Sequence, residues 1–495
     1  MKLRDLLQGV PVRSSQGNLD AEITAVVGDS RLAVRGSLFV AIRGMQQDGA
    51  KFVDSAVEKG AIAVVSDHAL ATRRSPPAWV EVEDARSALA LIAANFYGHP
   101  ADKLTLVGVT GTSGKTTTTK MLESIFDAAG EPVGLIGTIE YRAGEERLVA
   151  DRTTPDAVVL QQWFAKMVAA GVKHAVMEVS SHALALKRTY GIQFGAAVFT
   201  NLSQDHFDFH KGFEDYFAAK KSLFDQIDRK RRTAVVNIDD EYGRRLAGEL
   251  KKAVISFGRS PKADIRPADK FAIDVRGLRG RVHTPAGDIR VESRLLGLPN
   301  LYNWMAAIGA AVAVGIPRKA IETGIRNLAS VRGRFEYVES AGGPTVIVDY
   351  AHKPDALEKL LHAVRDLAAK KRLVLVFGCG GDRDKDKRPM MGDIAGRLAD
   401  FTVLTSDNPR SETPDFIIDD IEKGIRRGTY VRMTDRREAI ARTIDEASDD
   451  DVIVIAGKGH ESYQVVGDQI IHFDDREEAE FALKKRHEKV APKTG

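Results

Sequence analysis

Cysteine is nearly absent from this sequence, since Cys379 is the only one among 495 residues. A single thiol excludes disulfides within the chain, and such sparse cysteine is typical of proteins in the reducing cytosol. Long apolar runs are also missing, and charges interrupt the only apolar stretch near the amino terminus. The sequence therefore predicts a cytoplasmic protein with no membrane span and no secretory signal peptide.

A strong excess of charge of either sign is lacking as well. The net charge of +3 is too small to favour nucleic acid as a partner, which would require clustered basic residues. What is present is an ordinary globular composition, with 43% hydrophobic and 28% charged residues. The length predicts about three domains, which we place at residues 1–100, 101–332 and 333–495. We expect the protein to be a monomer.

Short apolar strand candidates alternate with helical segments through the second and third of these regions. This alternation predicts an α/β fold with mostly parallel sheets. In the third region, four such strands each end in a polar loop. Because the carboxyl ends of parallel strands lie at one edge of a sheet, where ligands bind, we expect these loops to form one site. The four strand candidates span residues 345–350, 373–378, 401–406 and 451–457.

The stretch "GVTGTSGKTTTT" (108–119) follows a predicted strand and opens a helical segment. In that setting, the backbone N–H groups of the loop and of the helix amino terminus face an anion. Lys115 adds a positive charge, and the Thr116 hydroxyl can ligate Mg²⁺. The spacing departs from the standard Walker A form, because Val109 stands where that form has glycine. We predict a magnesium-nucleotide site, and the alternative is a Gly/Thr turn before a lysine-capped helix.

Two further polar residues come at strand ends near this loop. Glu178 ends one predicted strand, and His206 follows another. Mg²⁺ prefers a few carboxylates together with phosphate oxygens, so these residues and Thr116 form a candidate magnesium site. Asp208 and His210, which follow His206 closely, are interpreted as surface loop residues.

Eight motifs occur in the order found in the Mur ligase family, and the sequence resembles that family across all three regions. The resemblance implies a small amino-terminal α/β UDP-binding domain, a central P-loop-type ATPase domain with a parallel sheet, and a carboxyl-terminal Rossmann-like domain. The eight motifs read "GTSGKTTT", "MEVSSHAL", "NLSQDHFDFH", "AAKKSLF", "GLPNLYN", "GRFE", "DYAHKPD" and "DNPRSETP".

The resemblance is to the branch of the family that adds the third peptide residue of the peptidoglycan precursor. It implies ligation of meso-diaminopimelate to the D-Glu side-chain carboxylate of UDP-N-acetylmuramoyl-L-Ala-D-Glu, with ATP cleaved to ADP and phosphate. The implied intermediate is an acyl phosphate, which the incoming amine attacks. This route is chemically sound, because a carboxylate is a poor electrophile and phosphorylation supplies a leaving group. ATP and Mg²⁺ are the implied cofactors.

The interpretation of Lys220 changes under this resemblance. Lys220 and Lys221 are adjacent on a predicted helix, and the pattern alone indicates two solvent-exposed lysines. In the family, the lysine that matches Lys220 is carbamylated, which converts a cation into an anion able to sit beside Mg²⁺. The implied catalytic residues are Lys115, Glu178, His206 and carbamylated Lys220, with Thr116, Glu178, His206 and Lys220 at the metal.

The resemblance also assigns binding residues for ATP and for the UDP-linked precursor. The sequence departs from the family at Leu186, where the family has glutamine, and at residues 45–47, which read Met-Gln-Gln where the family often has His-Gln-Ala. The implied ATP contacts are Gly111, Thr112, Ser113, Gly114, Lys115, Thr116, Thr117, Asn300, Arg334 and Asp349. The implied precursor contacts are Ser30, Gln46, Thr153, Thr154, Ser180 and Arg188.

Residues 406–414 read "SDNPRSETP", and the resemblance ties their DNPR segment (residues 407–410) to diaminopimelate. The far end of this amino acid carries both an ammonium and a carboxylate. Arg410 can pair with the carboxylate in a bidentate manner, and Asp407 can accept from the ammonium. L-lysine lacks that carboxylate, so Arg410 would face a cation. The implied diaminopimelate contacts are Arg388, Asp407, Asn408, Pro409, Arg410, Gly457 and Glu461.

Several alternatives stay open on the sequence. The nearest is a lysine-adding ligase of the same fold. A folylpolyglutamate-synthase-like ligase fits less well, because the DNPR segment and the amino-terminal UDP domain argue against it. A plain P-loop kinase or transport ATPase, or a nucleotide-binding module without turnover, would share only the phosphate loop. Dependence of ATP turnover on both the UDP-linked precursor and an amine separates these classes.

Overall fold

The computed structural model describes residues 1–44, 47–68, 77–228, 233–250, 253–274, 277–340, 342–368 and 370–490. The chain forms two compact units. In the part of the chain that the structure describes, no helix has the length and apolar character needed to cross a membrane. The first unit comprises Met1–Arg266, His283–Ile289 and Asn303–Gly324, and the second comprises Pro267–Val282, Arg290–Tyr302 and Ile325–Gly495.

A five-stranded sheet forms the amino-terminal part of the first unit, in the order β1-β5-β4-β3-β2. Its strands are parallel except β1, which pairs with β5 in the antiparallel sense. All residues of β3 are buried, as expected for a strand that is covered on both faces. The elements are α1 (Leu3–Leu6), β1 (Val12–Gln16), β2 (Ala25–Val27), β3 (Ser37–Ala41), α2 (Val53–Glu58), β4 (Ala61–Ser66), β5 (Ala78–Val82) and α3 (Ala85–Phe96).

An eight-stranded sheet forms the central part of this unit, in the order β13-β12-β11-β6-β10-β7-β8-β9. The predicted parallel sheet is present from β13 to β7, and an antiparallel hairpin, β8 and β9, extends it at one edge. The elements are β6 (Thr105–Thr110), α4 (Lys115–Ala128), β7 (Val133–Ile136), β8 (Glu140–Ala143), β9 (Glu146–Val149), α5 (Ala157–Ala169), β10 (His174–Glu178), α6 (Ser181–Ala185), β11 (Ala196–Phe199), α7 (Phe213–Asp225), β12 (Thr233–Asn237), α8 (Glu241–Glu249) and β13 (Ala253–Phe257).

The register of the central sheet places three strand ends side by side. Glu178 at the end of β10 lies opposite Val109 of β6, and Phe199 at the end of β11 lies opposite Thr110. The loop between β6 and α4 therefore has the ends of β10 and β11 on its two sides. This is the edge at which ligands bind in parallel sheets.

A small sheet and two helices follow the central sheet along the chain. The small sheet has the order β14-β16-β15, with β17 also paired to β16. The elements are β14 (Arg266–Pro267), β15 (Ala272–Asp274), β16 (Gly277–His283), β17 (Ile289–Ser293), α9 (Gly297–Ala313) and α10 (Arg318–Asn327).

A six-stranded sheet in the order β18-β19-β23-β20-β21-β22 forms the core of the second unit. The four predicted strands are confirmed as β19, β20, β21 and β23, and they are parallel, so their following loops share one edge. The elements are β18 (Glu336–Val338), β19 (Thr345–Asp349), α11 (Pro354–Ala368), β20 (Leu373–Phe377), α12 (Lys387–Leu398), β21 (Phe401–Leu404), α13 (Pro414–Glu422), β22 (Thr429–Arg432), α14 (Arg436–Glu446), β23 (Val452–Ala456), β24 (Tyr463–Val466), β25 (Gln469–His472) and α15 (Asp475–Val490).

Candidate active site

The phosphate loop, residues 111–114, connects β6 to α4 as the sequence predicts. Gly111 and Gly114 have φ angles of +149° and +87°, where residues with side chains are rarely found. The loop is tied to the residues that follow β11, since the Thr200 hydroxyl donates to the Ser113 carbonyl at 2.6 Å. The Ser113 N–H donates to the Asn201 side chain at 2.9 Å. These contacts fix the loop at the amino terminus of α4, the setting of an anion site.

We expect Gly111→Ala to disrupt this loop. A Cβ atom at Gly111 would lie 1.9 Å from the Thr200 hydroxyl oxygen, so the loop has to move. Misplacement by about 1 Å can cost about a hundredfold in activity, and we expect a loss of that order together with weaker nucleotide binding. The control is Gly248→Ala in α8, where nothing lies within 4 Å of the added Cβ. Nucleotide titrations on both variants check this, and wild-type affinity in Gly111→Ala would contradict it.

Two lysine ammonium groups converge on this loop. The Nζ atoms of Lys115 and Lys220 each donate to the Gly111 carbonyl at 2.9 Å. Lys220 lies on α7 and is 1% exposed, so the interpretation from the sequence pattern alone that it faces solvent is wrong. Burial, and next the charge of Lys115, hold the pKa of Lys220 well below its usual value. Lys221, by contrast, has 36% of its side-chain surface exposed and pairs with Glu249.

Glu178 is the buried carboxylate beside the phosphate loop. It accepts hydrogen bonds from the Thr116 hydroxyl at 2.9 Å, from the Thr138 N–H at 2.8 Å and from the Thr138 hydroxyl at 3.0 Å. The structure thus brings together two of the predicted metal ligands, Thr116 and Glu178. Within the described ranges, no group of three or more His, Cys, Asp or Glu side chains is arranged to hold a metal. One hydroxyl and one carboxylate suit Mg²⁺ when phosphate oxygens complete its coordination.

His206 lies in the loop after β11, with its ring near those of His182 and Tyr216, at centroid distances of 4.7 and 6.2 Å. Tyr216, which sequence reasoning missed, also lies under the Lys220 ammonium at 4.3 Å. Its hydroxyl is 3.2 Å from that of Thr112 in the phosphate loop. Tyr216 therefore contacts His206, Lys220 and the phosphate loop at once.

The two residues after His206 that the sequence predicts at the surface differ in their solvent exposure. Asp208 is exposed, as predicted. His210 is 2% exposed, so the prediction of a surface position is wrong for this residue. Its ring packs against Tyr216 and lies 5.8 Å from the ring of His182. Burial lowers the pKa of His210, although Asp215 opposes this effect.

Four residues predicted to bind the UDP-linked precursor cluster at the end of β10. Arg188 donates to the Thr154 carbonyl at 2.7 Å, and the Thr154 hydroxyl donates to the Glu178 carbonyl at 2.8 Å. The Ser180 N–H donates to the Thr154 hydroxyl at 3.1 Å. The Thr153 hydroxyl lies 3.0 Å from that of Thr138, which itself binds Glu178.

The other two precursor-binding candidates are placed in the amino-terminal part of the first unit. Ser30 opens a short turn of 3₁₀ helix after β2 and is buried. Gln46 lies outside the described residues, as does Met45.

Three residues predicted to contact ATP belong to the second unit. Asp349 ends β19 and accepts from the N–H groups of Phe335 and Ala351 at 2.7 and 2.8 Å. Arg334 lies 4.7 Å above the ring of Tyr350. Asn300 is buried and donates to the Leu296 carbonyl at 2.8 Å. Their contact with ATP stays a prediction.

The DNPR segment follows β21 and is held on two sides. The β24–β25 hairpin holds Arg410, whose N–H donates to the Val465 carbonyl at 3.0 Å and whose carbonyl accepts from Gly467 N–H at 2.8 Å. The loop after β20 lies on the other side, where the Arg410 guanidinium donates to the Gly381 carbonyl at 2.7 Å. Arg410 has a φ angle of +52°, in the left-handed region. The segment is therefore a fixed element of the second unit.

Four other residues predicted to contact the amino acid lie close to one another in the second unit. Asp407 is buried, and its carboxylate lies against Gly457, where an added Cβ would be 3.1 Å from Oδ2. Asn408 donates to Glu461 at 2.8 Å. Lys458, which sequence reasoning missed, is fully buried beside them.

The surroundings of Arg388 do not fit the prediction that this residue contacts diaminopimelate. Its side chain is 0% exposed and is bonded to the Glu412 carboxylate at 2.9 and 3.0 Å and to Asp420 at 3.0 Å. These two carboxylates engage the guanidinium inside the protein, where it connects α12 to α13. Arg383, unlike Arg388, is exposed. A Cβ atom added at Gly380 would lie 3.0 Å from the Arg410 guanidinium and 3.8 Å from Arg383 Cγ, so both arginines border this glycine.

Comparison with known protein families places the chain in one of them. Three family models match in order: "Mur ligase family, catalytic domain" over residues 22–97, "Mur ligase middle domain" over residues 109–311, and "Mur ligase, glutamate ligase domain" over residues 333–459. Together they cover most of the chain. The chain belongs to the Mur ligase family.

Several curated relatives and solved structures are similar over nearly the whole chain. A UDP-N-acetylmuramoyl-L-alanyl-D-glutamate--2,6-diaminopimelate ligase from Geobacter metallireducens is 43% identical, with 98% of this chain and 99% of that protein covered. The Clostridium tetani protein of the same name is 44% identical, with 96% and 98% covered. A solved structure with that name has a TM-score of 0.70 at 30% identity, covering 98% and 99% of the two chains. A MurF ligase from Thermotoga maritima in complex with ADP has a TM-score of 0.61 at 20% identity, covering 95% of this chain and 100% of that one, a likeness of fold.

Proposed function

We propose that this Mur ligase joins meso-diaminopimelate to the D-Glu side-chain carboxylate of UDP-N-acetylmuramoyl-L-Ala-D-Glu, with ATP cleaved to ADP and phosphate. The names of the curated relatives support this proposal. The observation that carries it is the pairing of charges in the second unit. The DNPR segment has Arg410 at one end and Asp407 at the other, and Lys458 pairs with the carboxylates of both Asp407 and Glu461.

The proposed chemistry has two steps. In the first, a carboxylate oxygen of D-Glu attacks the γ-phosphorus of ATP, and ADP leaves. In the second, the amine attacks the acyl carbon of the acyl phosphate, phosphate leaves, and the amine nitrogen loses a proton. In this scheme Lys115 and the amino terminus of α4 stabilise the charge that develops on the phosphoryl oxygens.

Thr116 and Glu178 fit a magnesium site beside the nucleotide phosphates, because a hydroxyl and a carboxylate already lie in contact there. We propose His206 and Lys220, as its carbamate, as the remaining residues at the metal. Bound Mg²⁺ would supply charge compensation for the phosphate oxygens.

The environment of Lys220 supports the proposed carbamate. A carbamate forms when a neutral amine attacks carbon dioxide and loses a proton. The lowered pKa of Lys220, caused first by burial and then by Lys115, favours the neutral amine that this reaction needs. Once formed, the carbamate places an anion near the Lys115 ammonium.

The remaining assignments follow the same resemblance. We propose that Ser30, Gln46 and the cluster of Thr153, Thr154, Ser180 and Arg188 bind the UDP-linked precursor. Asn300, Arg334 and Asp349 are proposed ATP contacts. The boundaries at residues 1–100, 101–332 and 333–495, a monomeric state and a cytoplasmic location belong to this proposal as well.

The charge pattern of the second unit favours diaminopimelate over lysine. The distal carboxylate of diaminopimelate would accept from Arg410, with exposed Arg383 close by, and the distal ammonium would donate to Asp407 and Glu461. Lysine has the ammonium and lacks the carboxylate. Arg410 would then lose its partner, which penalises lysine.

The test is the amino-acid dependence of ADP formation. With the UDP-linked precursor present, we expect ADP formation to require an amine and to be faster with meso-diaminopimelate than with L-lysine. Equal use of lysine would contradict the proposed selectivity, and a preference for lysine would assign the chain to the lysine-adding ligases. ADP formation without precursor or amine would indicate a plain ATPase, and nucleotide binding without any turnover would indicate a binding module.

A further inference from the structure

Lys458 is a fully buried lysine that has no role in the sequence motifs or in the proposed reaction. It is 0% exposed, and buried lysines are rare unless they are paired. Its Nζ atom lies 3.4 Å from Asp407 Oδ1 and 3.5 Å from Glu461 Oε2. One ammonium group thus stands between the two carboxylates proposed for the distal ammonium of the amino acid.

Asn408 fixes this arrangement. Its Oδ1 atom accepts from Lys458 at 3.0 Å and from the Val465 N–H at 3.0 Å, and its Nδ2 atom donates to Glu461 at 2.8 Å. Both ends of the amide are therefore engaged inside the protein. Asn408 orients Lys458 and Glu461 relative to each other, and its direct contact with the amino acid stays a prediction.

The charges in this cluster do not cancel. Asp407 and Glu461 carry two negative charges and Lys458 one positive charge, which leaves one negative charge. Two other cations are close. Arg436 is bonded to Asp475 at 2.7 Å, and Lys387 donates to the His352 carbonyl at 2.8 Å and also interacts electrostatically with Asp407. Lys458 lies within 3.5 Å of both carboxylates, so among these three groups one negative charge is left for a further ammonium.

Without Lys458, two carboxylates would face each other in a buried site. Neighbouring carboxylates disfavour each other's ionisation, and burial adds to this effect. Burial already raises the pKa of Glu461, and Lys458 is the strongest of the neighbours that oppose the rise. Loss of the ammonium would favour a protonated carboxylic acid, which no longer attracts a cation.

We propose that Lys458 is a positioning residue for the incoming diamino acid, and that its ammonium holds the Asp407 and Glu461 carboxylates together so that they bind one distal ammonium. Its burial excludes direct contact with the distal carboxylate. This inference rests on the proposed function and deepens it, because it assigns the residue that holds the ammonium site ready.

The first experiment replaces Lys458 by methionine, which keeps most of the volume and removes the charge. We expect KM for diaminopimelate to rise about tenfold or more, since a buried charged partner has been removed, while KM for ATP and for the UDP-linked precursor stays within about twofold. The control is Lys359→Met, an exposed lysine of the same unit that pairs with Asp355 at 2.8 Å. An unchanged KM for diaminopimelate overturns the proposal. A parallel change in all three KM values with a lower melting temperature overturns it too, because Lys458 would then be only structural.

A second pair of variants decides the matter if Lys458→Met alone does not fold, because the double variant removes one buried carboxylate together with the ammonium and leaves no two carboxylates facing each other. Glu461→Gln alone leaves Asp407 and Lys458, with no net charge. Glu461→Gln combined with Lys458→Met leaves only Asp407, with one negative charge. We expect the double variant to have the lower KM for diaminopimelate, and a higher KM overturns the proposal.

The wild-type protein separates this inference from the proposed function. If it forms no ADP with diaminopimelate and the UDP-linked precursor, the proposed function fails and the role of Lys458 fails with it. If the wild-type protein turns over and Lys458→Met keeps the wild-type KM, the inference about Lys458 alone fails.

Discussion

Lys220→Ala is expected to lower turnover at least about a hundredfold, since charge stabilisation around transferring phosphate is worth several kcal/mol. Lys220 is buried, and its Nζ atom lies 2.9 Å from the Gly111 carbonyl of the phosphate loop. Alanine leaves a space beside Tyr216 that a small carboxylic acid can enter. Formate or acetate in the assay should therefore restore part of the activity, by placing an anion where the carbamate would stand. Steady-state ADP formation with and without these acids measures both effects.

The neighbouring residue provides the control for this experiment. Lys221 is one position along the same helix, has 36% of its side-chain surface exposed and pairs with Glu249 at 2.6 Å. Exposed ion pairs contribute about 0–1 kcal/mol, so Lys221→Ala should keep its activity and should not respond to the acids. Full activity of Lys220→Ala would show that no carbamate is needed. A loss that no carboxylic acid relieves would also contradict the proposed role.

Arg410→Asn is expected to lower kcat/KM for diaminopimelate about tenfold to a hundredfold, because hydrogen bonds to charged groups contribute about 1.5–3 kcal/mol. Asparagine is chosen because it tolerates the left-handed backbone that Arg410 adopts. The loop should therefore keep its shape while the positive charge is lost. Activity with lysine should change little or improve, since the cation that would face it has gone. The preference for diaminopimelate over lysine is the quantity to measure.

Two further variants sharpen this result. Arg410→Lys keeps the charge and loses the planar fork, so its preference should fall between those of the wild type and Arg410→Asn. Arg397→Asn removes an exposed arginine of α12 that pairs with Glu358 and Asp393, and it should leave the preference unchanged. If Arg410→Asn weakens turnover with both amino acids equally, Arg410 does not select between them.

The sequence predicts the parallel strands well because their apolar runs are continuous. All five residues of β20 and of β23 are buried, so each run of apolar residues is unbroken. Two hairpins are not predicted. The β8–β9 hairpin has an outer strand that is exposed throughout, and every residue of β25 in the other hairpin is exposed. Neither has the alternating or continuous apolar pattern that marks a strand.

The site is predictable where a residue's role depends on its position at a strand end, and less so where it depends on partners far along the chain. The register of the central sheet brings Glu178 beside the phosphate loop, as the motifs indicate. Lys458, by contrast, is buried through contacts with residues about fifty positions away. Contacts over this distance cannot be predicted from the spacing of residues in the sequence. Arg388 is assigned to the amino acid on resemblance, but the carboxylates that engage it, Glu412 and Asp420, come from α13 and the turn before it.

The backbone at Arg410 limits how this protein can change its substrate. A φ angle of +52° is held by two hydrogen bonds to the strand and turn of the β24–β25 hairpin. Only glycine, asparagine and aspartate visit that region routinely, and β-branched residues are strongly disfavoured there. Single substitutions that would suit another amino acid are therefore few, unless the hairpin shifts as well. Evolution of a new selectivity at this position would pass through a narrow set of residues, or through compensating changes in the β24–β25 hairpin.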